Sequence, residues 1–190
     1  VHAVFGELER WLKAPTEVAD PEIVRDVDDA LTRTRQYLHL VRISPHDVER
    51  NREYLACVHT LDHLGRVNRR LQDQARLRTC RTIGQLSTLT DTLAKSSQAI
   101  AAAEFPLAAA QAESFHQLNH ALKAGMRSFR NDAVARAARG EVAPAEAIRQ
   151  MDAARWLRRI GYHIWRVAHH MTAEPAQTPA HFTESAASVT

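Results

Sequence analysis

Two pairs of histidines, His59/His63 and His116/His120, stand four residues apart in stretches whose apolar residues recur on a helical period. One turn apart on a helix, two imidazoles face the same way and can ligate zinc or another transition metal. Such a site wants a third and fourth ligand, and Asp62 or Glu113 could supply one. The chain has no His-Glu-x-x-His element. The Glu-x-x-His pattern that di-iron bundles use in duplicate occurs here only in Glu113-Ser114-Phe115-His116. Both pairs, and the adjacent His169-His170, therefore read first as surface or half-buried polar residues, with a histidine-rich helical metal-binding protein kept as an alternative. Nucleophilic chemistry has less to stand on. There is no Gly-x-Ser-x-Gly elbow, no phosphate-cradling glycine loop and no cysteine set against a histidine in a recognisable context. No enzyme activity is expected.

The densest stretch is Arg155–Met171, with two of the three tryptophans, four arginines and three histidines on a helical apolar period. Gly161 interrupts it, and a glycine in an exposed helix costs about 1 kcal/mol relative to alanine. Its presence signals the close approach of another element. The pattern recurs: Leu61-Asp62-His63-Leu64-Gly65 and Leu157-Arg158-Arg159-Ile160-Gly161 both read Leu-x-x-(Leu/Ile)-Gly, 96 residues apart. An internal duplication with helix-packing glycines at Gly65 and Gly161 follows. On a helical wheel Leu157, Ile160, Ile164, Val167 and Met171 form a core stripe, while Arg158, Tyr162, Trp165 and His169 share the adjoining arc.

The elements that must position these residues are helices. Ala, Leu, Arg and Gln are plentiful, β-branched runs are scarce, and Gly and Pro total only 13 of 190 residues, which favours helix almost throughout. Asp20-Pro21-Glu22 is a start signal, with Asp20 as cap and proline at the first helical position. Ser44-Pro45-His46-Asp47 repeats it and opens a long helix to about Arg78, with Tyr54, Cys57, Leu61, Leu64, Asn68, Leu71 and Ala75 as inner stripe. The remaining helices are expected over Val4–Lys13, from near Leu86 to Ala103, over Leu107–Arg139, and from about Ala145 to Met171. Residues 172–190 lack periodicity and are expected to be a disordered tail. The 25 basic and 22 acidic residues interleave along the chain, so no nucleic-acid partner is expected. Cys57 and Cys80 have no metal-type spacing and are expected to be free thiols. No apolar run approaches a membrane span.

Three helices followed by three helices, with the glycine motif on the third and the sixth, resemble the PhoU family. There the third helix of each repeat carries Leu-Glu-Arg-Ile-Gly-Asp. Leu61–Arg66 and Leu157–Tyr162 fall on that pattern, and Arg155–Arg166 is more similar to the divergent PhoU-like domains at the cytosolic end of bacterial sodium/phosphate cotransporter family proteins. The resemblance implies an all-α, six-helix PhoU-like bundle over residues 1–171, made of two tandem three-helix repeats, about 1–78 and about 85–171. It implies a non-catalytic regulatory or interaction domain linked to phosphate uptake, with a free-standing phosphate-signalling regulator as a variant. The chain, which begins at Val1, reads as a cytoplasmic segment tethered to the inner face of the membrane through an upstream transmembrane domain. The expected partner is that membrane domain, a phosphate-uptake system, or a second copy in a homodimer. In the family the motif's Glu and Asp, four residues apart, can bind metal ions. Here those positions are Asp62 and Arg66 in the first copy and Arg158 and Tyr162 in the second. Arginine cannot ligate a cation and pairs with Asp62 instead, so no metal and no other cofactor is expected.

Overall fold

The computed structural model describes residues 1–14 and 20–172. They form seven helices: α1 (His2–Lys13), α2 (Pro21–Leu40), α3 (Val48–Arg70), α4 (Gln74–Thr82), α5 (Gly84–Ala101), α6 (Ala109–Ala138) and α7 (Pro144–His170). The only β-type pairing among the described residues is an isolated bridge between Leu107 and Thr172. The described residues form an all-helical fold, and the start signals account for several boundaries. Asp20 accepts the Glu22 backbone N–H at 2.9 Å with Pro21 in the first turn of α2, and Pro144 opens α7. The third helix begins later than the Ser-Pro signal suggests, because Asp47 takes the capping role and accepts from the Arg50 backbone at 3.1 Å.

The helix expected to run unbroken to Arg78 is two helices, which makes the count seven where the sequence reading expects six. Asp73 restarts the chain by accepting the Arg76 N–H at 3.3 Å. The turn at 71–73 lets α4 lay Leu77 and Cys80, both fully buried, against α5 and α7. The expected inner stripe holds only in the middle of this region. Leu61, Leu64, Asn68 and Leu71 are buried, Tyr54 is half-buried, and Cys57 and Ala75 are exposed. The far end of the α2–α3 hairpin stands away from the bundle, leaving Tyr37, Leu40, Val48 and Leu55 more than half exposed.

Packing is set by like faces meeting. Helix α1 lies along α5, α3 lies along α7, α2 folds back on α3, and α6 folds back on α7. Helix α1 contributes Phe5, Leu8, Trp11 and Leu12, all fully buried, and Trp11 meets Trp156 edge-to-face at 5.7 Å. On α7, Leu157, Ile160, Ile164 and Val167 are wholly buried, each worth roughly 1.5–3 kcal/mol of transfer free energy, whereas Met171, at the end of the expected stripe, is half-buried. The expected tail lies outside the described residues except for its first residue. Thr172 Oγ1 donates to His169 O at 2.7 Å, and Leu107 N–H donates to Met171 O at 2.7 Å.

Candidate functional site

The motif residues converge where α3 crosses α7. His63 and His163 are both buried, and their Nδ1 atoms lie 3.0 Å apart. Arg166 organises the neighbourhood: its Nε reaches His63 Nε2 at 3.5 Å and its Nη2 reaches His170 Nε2 at 3.0 Å. A guanidinium only donates, so both Nε2 atoms accept and both rings carry their proton on Nδ1. His63 Nδ1–H then donates to His163 Nδ1, which leaves the His163 proton on Nε2. One permanently charged side chain thus fixes three neutral imidazoles in defined tautomers.

The electrostatics favour the same state. Burial, then the charges of Arg70 and Arg66, push His163 down to about 3. Burial and Arg166 bring His170 down to about 4. His63 is lowered by burial and by Arg166, and His169 by burial and Arg166. These rings therefore stay neutral at physiological pH.

The surrounding rings form a continuous aromatic edge along α7. His59 stacks on His170 at 5.0 Å, and Tyr162 stands edge-on to His63 at 6.0 Å. Farther round, His116 lies nearly flat on Trp165 at 5.2 Å and stands perpendicular to His120 at 4.7 Å. Each of the two sequence pairs thus places a ring against α7. Glu113 Oε2 is 3.6 Å from His116 Nδ1, and Asp62 accepts from Arg66 Nε at 2.8 Å, an i, i+4 ion pair. Among the described residues no three His, Cys, Asp or Glu side chains come together to hold a metal ion. The His63/His163 nitrogens are close enough to share one, but the charges of Arg66, Arg70 and Arg166 bear on that spot.

The motif glycines differ in what they face. A Cβ on Gly161 would stand 2.3 Å from Leu122 Cδ1 and 3.3 Å from Leu93 Cδ2, so α6 and α5 both close on α7 there. A Cβ on Gly65 would stand 2.8 Å from Arg35 Nη2, the tip of a side chain from α2 that also donates to Leu61 O at 3.1 Å. Of the four motif positions, Asp62, Arg66 and Tyr162 flank the histidine pair, while Arg158 is half-buried in the wall of a pocket between α6 and α7. A larger, mostly apolar groove of about 1100 Å³ runs between α2, α3 and the ends of α1 and α7, with His59, His169 and His170 on its rim.

Sequence reasoning missed His163 as the partner of His63. A usable signal was present: His63 lies two residues before one motif glycine and His163 two residues after the other. Both thiols are free, Cys57 exposed and Cys80 buried. Among the described residues no helix is long and apolar enough to cross a membrane. Compared with family models, curated proteins and solved structures, the chain matches none of them.

Proposed function

We propose that this chain is a PhoU-like, non-catalytic interaction module of a sodium/phosphate cotransporter family protein. In this reading it lies on the cytoplasmic side, is tethered to the membrane by an upstream domain, and regulates phosphate uptake by helix docking. The observation that carries the reading is the duplicated Leu-x-x-(Leu/Ile)-Gly motif, whose Leu61, Leu64, Leu157 and Ile160 are all buried, with Gly161 where α6 and α5 close in and Gly65 facing the Arg35 tip from α2. The helix contacts lend support to two tandem repeats. If α1–α2–α3 and α5–α6–α7 are equivalent, α1 meets α5 and α3 meets α7 like-to-like, each second helix folds on its third, and α4 is the connector. The aromatic and histidine edge, with Arg158 and Tyr162 at the positions of the family's acids, supports a module that has given up metal ligation for packing.

The test is phosphate uptake by cells expressing the full gene product, intact or with Gly65 and Gly161 both replaced by leucine. The reading expects an unchanged amount of membrane-embedded protein with altered control of uptake by external phosphate. A full gene product without membrane spans, or uptake control indifferent to the double substitution, refutes it.

A further inference from the structure

Tertiary structure gathers charges that are scattered in sequence. Helix α6 presents Lys123, Met126, Arg127 and Arg130, and the antiparallel α7 presents Met151, Ala154, Arg155 and Arg158. Each set has i, i+3, i+4, i+7 spacing, the signature of one helical face. The two faces enclose a pocket of about 340 Å³ whose floor is methionine and alanine and whose walls are five cations without an acid. Among the described residues only Arg155 of the five has a carboxylate partner, Asp152 at 3.1 Å on its own helix. The chain has 22 acidic residues, yet among the described residues none of them lines this pocket.

Like charges one turn apart on a helix repel, and here two such rows also face each other. An anion seated between them relieves both repulsions and receives charge-assisted hydrogen bonds from several guanidinium forks. Arg155 also stands on the wall of a second pocket, of about 270 Å³, with Arg69, Arg70 and Arg159. None of those three has a carboxylate partner among the described residues, while the two acids there, Asp73 and Asp152, are held by Arg76 and Arg155. The positive surface therefore extends past a single monoanion's reach.

We propose that the α6–α7 face is a binding site for a compact anion carrying two or more phosphoryl groups, with Lys123, Arg127, Arg130 and Arg158 as its principal contacts. The site is independent of the PhoU-like reading, because it rests only on side chains of this fold. A free condensed phosphate and a phosphorylated lipid headgroup share the required chemistry.

Two probes distinguish the sources: tripolyphosphate by titration calorimetry, and sedimentation with phosphatidylcholine vesicles with or without phosphatidylinositol bisphosphate. One equivalent of either probe should bind, and the Arg127→Gln/Arg158→Gln variant should bind about a hundredfold more weakly, roughly tenfold per guanidinium. Arg25→Gln, on the exposed face of α2, should bind like the parent. Binding of tripolyphosphate alone assigns a free ligand, and binding of the lipid vesicles alone assigns a headgroup. Failure of both probes at millimolar concentration, affinity that survives the double substitution, or retention of duplex DNA by a protein that ignores both probes overturns the proposal. Single substitutions at Arg127 and Arg130, both solvent-exposed, repeat the test should the double variant fold poorly.

Discussion

Replacing Gly161 and Gly65 by alanine, one at a time, separates two kinds of helix crossing that look alike in sequence. Alanine at either position gains about 1 kcal/mol of helix propensity. At Gly161 the new methyl would lie 2.3 Å from Leu122 Cδ1 and 3.3 Å from Leu93 Cδ2, and both leucines are fully buried. Neither can swing into solvent, so the core must shift, at the roughly 1–3 kcal/mol typical of overpacking. The net expectation for Gly161→Ala is a loss of about 1 kcal/mol. At Gly65 the nearest atom is Arg35 Nη2, the end of a flexible, half-buried side chain. Displacing it forfeits one hydrogen bond, to Leu61 O, worth about 1 kcal/mol. That cancels the propensity gain, and Gly65→Ala should be neutral. Urea unfolding followed by circular dichroism and tryptophan fluorescence measures both. Leu122→Ala combined with Gly161→Ala should show favourable coupling of about 1 kcal/mol, because the cavity receives the methyl. A Gly161→Ala protein as stable as the parent, or additive behaviour with Leu122→Ala, refutes this account of the α6–α7 crossing.

Acid should destabilise the fold through its neutral histidines. His163, held at about 3, and His170, held at about 4, both lie below the ordinary imidazole value of 6.5. Between those limits the unfolded chain binds more protons than the folded one. Stability is therefore undiminished above about pH 6.5 and falls as pH drops, at up to about 1.4 kcal/mol per unit for an imidazole that stays neutral in the fold. Urea midpoints measured from pH 7.5 to 5 should show the decline, and His163→Asn should flatten it; an unchanged slope in that variant would remove His163 as its source. Burial pushes the Cys80 thiol up to about 12 while Cys57 is exposed. One equivalent of thiol should then react with a disulfide reagent in the native protein and two in denaturant, and rapid reaction of both in the native state contradicts the burial. Asp73→Ala removes the cap of α4 and its contact with Arg76. It should cost about 1 kcal/mol in urea unfolding, and an unaffected midpoint would show that Leu77 and Cys80 hold α4 without it.

Much of this protein was written locally. Helical class, the Asp20-Pro21 start and the stripe from Leu157 to Val167 follow from propensity, capping and period, which act within a few turns of chain. Gly161 as a point of close approach was legible for the same reason, since a glycine there carries a local penalty that only packing offsets. The break at 71–73 was not legible as such, because Leu71-Gln72-Asp73 contains neither proline nor glycine. The chain turns there because Leu77 and Cys80 find their burial against α5 and α7. The His63–His163 pair spans 100 residues and depends on how α3 crosses α7. Along the chain, acids and bases interleave, but pairing α6 with α7 sets Arg127 and Arg130 opposite Arg155 and Arg158. Periodicity tells each residue which side of its own helix it occupies; only the packing of one helix on another decides what that side will face.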